Sequence, residues 1–347
     1  MKRLALVLAA LVLVHVALLF VPARRAGAPT TVGRPALRVG VVFDVGGRGD
    51  KSFNDGAWIG AERAARELGA EMRFVEPGDG SDREAGLRML AAEGMDLVIG
   101  VGFIFTDDLL ALANEYPDVH FAGVDFAVRV DESGNPVPLP KNLAALKFRE
   151  EEGSYLVGAL AALAGGSKKI GFVGGMDIPL IHKFEAGYRQ GVAAVCGDCE
   201  VIAEYAGATP EAFSNPSKGK ELGLAQYHAG VEVIFHASGS TGLGVFEAAR
   251  DEHKLAIGVD ADQYDEAPGF ILTSMTKGVD TSVYDAVRRV KEGTFEGGIY
   301  SFGLAEDGVG YVYDEHNRAL IPDEVRARVE ALRADIVAGR VKVEVGK

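Results

Sequence analysis

Asp44, Asp50, Lys51, Ser52, Phe53 and Asn54 crowd into one glycine-rich segment, DVGGRGDKSFNDGAW over residues 44–58. Carboxylates, an amide, a hydroxyl and one aromatic ring in a single loop suit a small polar ligand with a flat ring. The apolar run before it, LRVGVVF over 37–43, reads as a buried parallel strand. After it, Ala57, Ala61, Ala64, Ala65 and Leu68 recur at helical spacing. A loop between strand and helix, at the carboxyl end of the strand, is where open α/β sheets place their ligands.

Three further positions have matching chemistry. Asp260, in GVDADQ over 258–263, ends another apolar run, and a carboxylate there accepts hydrogen bonds from two vicinal hydroxyls, as a sugar presents them. Lys277, beyond a strand expected over 270–273, can donate to the same hydroxyls and balance Asp260. Phe53 and Phe184 can close on a flat ring from both faces, and stacking of a base on an aromatic side chain is worth about 1–3 kcal/mol. In GSTGLG over 239–244, backbone N–H groups at a helix start can meet hydroxyl oxygens or an anion. A tight strand-to-helix turn that needs glycine explains the same string equally well.

Catalytic and cofactor motifs do not match. GGRG over 46–49 lacks the G-x-G-x-x-G spacing, and no G-x-x-x-x-G-K-[ST] string occurs. Ser238 is not in a G-x-S-x-G elbow, although it follows a strand and precedes a helix. The histidines form no i, i+4 metal pair, and His236 reads as a packed or hydrogen-bonded core residue. No cofactor and no metal are expected, and the chain does not read as an enzyme. A net charge of −14 argues against a nucleic-acid partner.

The elements that must position these residues alternate strand and helix. Strands are expected over 37–43, 72–75, 97–101, 119–124 and 143–148, with helices over 55–68, 82–93 and 106–115. After an irregular loop over 129–140 and a helix over 150–164, the alternation starts again. Strands over 170–173, 200–205, 231–237, 255–259 and 270–273 then enclose helices over 179–195, 217–228 and 241–252. Each half opens with a strand and a glycine-rich turn, FDVGG over 43–47 and FVGGMD over 172–177. Short β-branched runs alternating with helices imply parallel sheets covered on both faces. Two such lobes facing each other would bring both sets of strand ends to one cleft.

The first residues are of another kind. Met1-Lys2-Arg3 precedes an apolar run over 4–21 that is broken only by His15, and small residues follow. This describes an export signal, with 21–23 a tolerable cleavage site. Its 18 residues also reach the lower limit for a spanning anchor, so cleavage and anchoring both stand. Retention of 1–23 in the mature protein separates them. Either way the body lies outside the cytoplasm. In an exported chain the two cysteines, Cys196 and Cys199, read as a local structural disulfide.

DVGGRGDKSFNDGAW resembles the signature of the basic membrane protein family of ABC-transporter substrate-binding proteins, which includes purine nucleoside receptors. Similar strings follow in order: GVGF at 100–103, EGSYLVG at 152–158, GFVGGMDIP at 171–179, FEAGY at 184–188, GSTGLG at 239–244, GVDADQ at 258–263 and TSMTK at 273–277. The resemblance implies a type I periplasmic binding protein of the α/β class, two Rossmann-like lobes with a hinge and an interlobe cleft. It implies one lobe from 36–148 and 277–303 and a second from 149–276 and 304–347, after a signal or anchor plus linker over 1–35. Phe53 and Phe184 then match the pair holding the base, and Asp44, Asn54 and Asp125 the polar positions beside it. Asp260, Lys277 and the Gly239 backbone match the ribose positions. The expected partners are a nucleoside, probed first as a purine nucleoside, and an ABC permease in the inner membrane, with the receptor a monomer in the periplasm or at the cell surface. Unlike typical members, the chain has no cysteine after the apolar run for a lipid. The rival readings are a same-fold receptor for a sugar or signalling molecule, a membrane-anchored sensor, and a nucleoside-cleaving or sugar-modifying enzyme.

Overall fold

The computed structural model describes residues 36–76 and 82–345, so the apolar run and linker over 1–35 lie outside the described residues. Two six-stranded sheets carry the fold. The first contains β1 (Arg38–Val42), β2 (Glu71–Val75), β3 (Leu97–Val101), β4 (His120–Val124), β5 (Leu143–Phe148) and β11 (Gly298–Phe302), in the order β11-β5-β4-β3-β1-β2. The second contains β6 (Lys169–Met176), β7 (Glu200–Gly207), β8 (Val233–Ala237), β9 (Leu255–Asp260), β10 (Ile271–Lys277) and β12 (Val309–Tyr311), in the order β12-β10-β9-β8-β6-β7. The first five strands of each sheet thus follow one order, and only β12 pairs antiparallel. Strands such as β3 and β8 are buried along their whole length, because helices cover both faces. In this order the chain reverses direction across the sheet between β1 and β3, and between β6 and β8. Ligand crevices open at such switch points.

The helices are α1 (Phe53–Leu68), α2 (Arg83–Ala92), α3 (Thr106–Glu115), α4 (Glu150–Ala164), α5 (Pro179–Val195), α6 (Pro216–His228), α7 (Thr241–Glu252), α8 (Val279–Glu292) and α9 (Asp323–Val337). After β10 the chain leaves the second sheet. It packs α8 on α1, adds β11 beside β5, then returns as β12 beside β10. The lobes are therefore joined at three places: β5 to α4, β10 to α8, and β11 to β12. Among the described residues no helix is long and apolar enough to cross a membrane. The irregular stretch expected over 129–140 holds one isolated antiparallel bridge, Val130 with Pro136. Cys196 and Cys199 are joined by a disulfide just after α5.

Two expectations are corrected. Gly174 and Gly175 are not a turn, since β6 runs on to Met176. The rings of Tyr205 and Phe213 fill the space that side chains at these glycines would need. Likewise β10 does not stop at Thr273 but extends to Lys277, because Thr276 and Lys277 pair with Gly310 and Val309 of β12. Lys277 is thus the last residue of a strand rather than part of a loop.

α4 and α5 pack at glycine contacts. A Cβ at Gly187 would fall inside the Glu151 carbonyl, and one at Gly158 inside the Tyr188 carbonyl. Alanine is intrinsically the better helix former by about 1 kcal/mol, but here overpacking against backbone outweighs it. Gly187→Ala is expected to destabilise the protein by about 1–3 kcal/mol in urea or thermal unfolding. A variant as stable as the parent would refute this packing.

Candidate functional site

The loop after β1 is built by its own carboxylates. Asp50 is buried and accepts the backbone N–H groups of Ser52 (2.9 Å), Asn54 (2.8 Å) and Asp55 (3.1 Å), at the start of α1. A carboxylate at these unpaired N–H groups is also favoured by the helix dipole. Asp55 reaches back to the N–H of Gly49 (2.7 Å) and of Lys51 (3.1 Å). Gly47 and Gly49 have φ of +59° and +95°, where only glycine is at ease, so these glycines shape the loop. Asn54 donates its amide to Asp44 (2.7 Å) and to Asp50 (3.0 Å). With both amide hydrogens committed, Asn54 acts by aiming Asp44 into the cleft.

All eight residues expected to bind a ligand line one open cleft between the two sets of strand ends. Asp44, Phe53, Asn54 and Asp125 come from the first lobe, and Phe184, Gly239, Asp260 and Lys277 from elements of the second. Asp125 follows β4 and Asp260 ends β9, the equivalent strands of the two sheets, and both have positive φ (+57° and +66°). Aspartate tolerates this strained region better than most residues, and such outliers cluster at functional sites.

Sequence reasoning paired Lys277 with Asp260, but the direct partners differ. Lys277 Nζ donates to Asp125 Oδ2 at 2.6 Å and lies 3.1 Å from Glu150 Oε1, with all three groups buried. Asp260 instead accepts the hydroxyl of Ser52 from across the cleft. Lys183 bonds Glu150 and the Phe148 carbonyl (2.7 Å). The Lys277 ammonium also lies 5.1, 4.9 and 5.5 Å from the ring centres of Phe53, Phe148 and Phe184, within cation–π range. Glu150 and Lys183 were missed, and Ser52 was singled out without its partner Asp260. Glu150 lies in an acidic run at a helix start, which reads as surface, and Ser52 meets its partner only in the folded chain. Phe103 and Phe213, 6.5 Å apart and edge to face, add an aromatic wall from both lobes.

Burial dominates the electrostatics. It pushes the Asp44 carboxyl up to about 7, against the pull of Asn54 and with help from Asp50. It pushes Asp260 up to about 6, against Lys277 and Ser52. Burial also raises Asp125 despite Lys277 beside it. Desolvation would lower Lys277, but Asp125, Glu150 and Asp260 together hold its ammonium above the ordinary value. Desolvation would raise Glu150, yet Lys183 and Lys277 hold it below. The cleft thus presents apolar rings, hydrogen-bond acceptors and one firmly charged cation. This arrangement suits a neutral ligand rich in donors. Among the described residues one hydroxyl–imidazole pair borders this cavity, Ser238 Oγ lying 3.3 Å from His236 Nδ1.

Asp44 and Asp260 have folded values above the ordinary 3.8, so the folded state binds more protons between about 4 and about 7. Their contribution is most favourable below 3.8 and is lost as pH rises through 6 to 7. Asp44→Asn in the ligand-free protein should therefore gain more stability at pH 8 than at pH 5, by about 2 kcal/mol once screening by water in the cleft is allowed for. Urea unfolding at both pH values measures the difference, and an equal effect at both would refute the raised value.

Comparison with known proteins gives a consistent result. The model of the family Bmp, described as "ABC transporter substrate-binding protein PnrA-like", matches residues 37–346. An uncharacterised lipoprotein of Pyrococcus abyssi is 37% identical over 299 residues, covering 82% of this chain and 71% of the relative. The ABC transporter nucleoside-binding protein BmpA of Lactococcus lactis is 32% identical over 367 residues, covering 99% of each chain. Among solved structures, a solute-binding protein of an ABC transporter system from Aeropyrum pernix superposes with a TM-score of 0.79. It is 33% identical and covers 88% of this chain and 92% of that one.

Proposed function

The chain belongs to the Bmp family of PnrA-like ABC-transporter substrate-binding proteins, which are solute receptors rather than enzymes, and from that premise we propose that it captures a purine nucleoside in the interlobe cleft. The observation that carries the reading is the convergence on one cavity of two phenylalanines from opposite lobes and a carboxylate, Asp260, at a strand end. A base fits between Phe53 and Phe184. Asp44, held by Asn54, and Asp125 then accept hydrogen bonds from the base side. Asp260, Lys277 and the backbone at Gly239 meet the ribose hydroxyls. The Lactococcus relative, named for nucleoside binding, supports the same ligand class.

On this reading, with the expected boundary moved by one residue because Lys277 pairs in the second sheet, lobe 1 comprises 36–148 and 278–303 and lobe 2 comprises 149–277 and 304–347. Closure about the three crossovers shields the ligand, and a monomeric receptor hands it to a membrane permease. The work is done outside the cytoplasm, in the periplasm or at the cell surface. The same-fold sugar receptor remains the alternative with an observation behind it, since Asp260 suits any vicinal diol.

Isothermal titration of ligand-stripped protein with adenosine, guanosine, inosine and cytidine tests the assignment, with heat expected for the purine nucleosides. No heat from any of them would sink it. Phe53→Ala and Phe184→Ala should each cost about 1–3 kcal/mol. Asp260→Ala should weaken ribonucleosides far more than free bases, and equal losses would remove Asp260 from the ribose site.

A further inference from the structure

Ser238 follows β8, is 1% exposed and lines the cleft. A serine hydroxyl can donate or accept, so by itself it would not discriminate among ligand groups. Here a chain of hydrogen bonds decides the direction. Gln263, also buried, stands between two backbone groups whose polarity is fixed. Its Oε1 accepts the N–H of Val259 at 2.8 Å, and its Nε2 donates to the carbonyl of Lys51 at 2.9 Å. The amide therefore has only one satisfactory orientation.

His236 continues the chain. Its Nε2 lies 3.1 Å from the same Gln263 Oε1, which is an acceptor, so Nε2 must carry a proton. The ring is fully buried, and burial pushes it down to about 4, so it holds one proton at neutral pH and Nδ1 is bare. The edge of Phe246, 4.9 Å away, and the missing side chain of Gly242 on the first turn of α7 leave the ring one seat. Ser238 Oγ, 3.3 Å from Nδ1, must spend its hydrogen there. What remains toward the cleft is acceptor only.

We propose that Ser238 is a specificity residue that reads a hydrogen-bond donor on the ligand, its polarity fixed through His236 by Gln263 and anchored across the cleft on Lys51. This rests on the nucleoside reading for the identity of the donor. Ser238 adjoins Gly239 and directly follows the strand beside that of Asp260, whereas Asp44 and Asn54 stand on the opposite lobe. The donor is therefore a sugar hydroxyl and not a base N–H. His236 and Gln263 are positioning residues, which act on the ligand only through Ser238. The anchor is also a contact between lobes: Lys51 precedes Ser52, which bonds Asp260. Approach of the lobes and the polarity of Ser238 are thus written into one hydrogen-bond chain.

Two measurements on the full chain test this. Long-range proton–nitrogen NMR of histidine-labelled protein reads the His236 tautomer directly. A proton on Nε2 is expected, and a proton on Nδ1 would overturn the relay, whatever the ligand is. Titration of the wild type and of Ser238→Ala with a bound nucleoside and its 2′-, 3′- and 5′-deoxy analogues reads the donor. The variant should bind the parent nucleoside about tenfold more weakly, yet match the wild type for the one analogue that lacks the hydroxyl read by Ser238. An equal loss for all four compounds, or no loss, overturns the hydroxyl assignment. If the wild type binds no nucleoside, the nucleoside reading and the hydroxyl assignment fall together, and the tautomer still decides the relay.

Discussion

A single buried ammonium sets the terms for this cleft. Lys277 is 5% exposed, and taking a charge of its size out of water costs several kcal/mol unless partners replace the lost hydration. Asp125 supplies one partner from the end of β4 in the first sheet, and Glu150 supplies the other from the first residue of α4. Lys183, on α5, then balances Glu150 and holds the Phe148 carbonyl at the end of β5. These groups come from both lobes and from two of the three crossovers. The position of one charge therefore ties together the hinge segments and the cavity wall. Removing either carboxylate would leave Lys277 under-compensated, and removing Lys277 would leave two buried anions.

The same constraint explains the chemistry offered to a ligand. Phe53, Phe148 and Phe184 around Lys277 exclude water, which lowers the local dielectric and strengthens every remaining polar contact. Carboxylates nonetheless outnumber ammonium groups around the cavity, and burial holds Asp44 and Asp260 above their ordinary values. An anionic ligand would meet Asp44, Asp50, Asp125 and Asp260 with one cation already engaged. A neutral ligand with several N–H and O–H donors would satisfy the same groups. The destabilisation stored in those carboxylates is what such a ligand relieves.

Much of this was legible before any coordinates. β-branched runs at regular spacing gave the parallel strands, strand ends pointed to the loops of Asp44 and Gly239 and to Asp260, and the family resemblance added Asp125; the eight expected residues are among those that line the cavity. What escaped has common physical reasons. β12 has three residues and β11 alternates half-buried with exposed positions, so neither has the apolar run of a central strand. The glycines of β6 read as a turn because the rings that occupy their space, Tyr205 and Phe213, lie far along the chain. Glu150 looked like part of a solvated acidic helix start, yet it is fully buried, and only the arrival of Lys277 and Lys183 makes that tolerable. His236 was legible as a hydrogen-bonded core residue, but its direction of bonding depends on Gln263 and on Lys51, which lies 212 residues before Gln263.

The repeated architecture sharpens the point about Asp125 and Asp260. They occupy equivalent strand ends in two sheets of the same order, and both adopt positive φ. A symmetric fold therefore delivers two aspartates to one cleft from opposite sides. The surroundings then separate their roles. Lys277 lies 2.6 Å from Asp125 Oδ2 and leaves Oδ1 without a partner, while Asp260 has only the Ser52 hydroxyl, so both keep acceptor capacity but only Asp125 has a cation beside it. One cation on one side is enough to break the symmetry. The fold supplies the pair of carboxylates, and the placement of Lys277 decides which of them meets a ligand with a cation beside it.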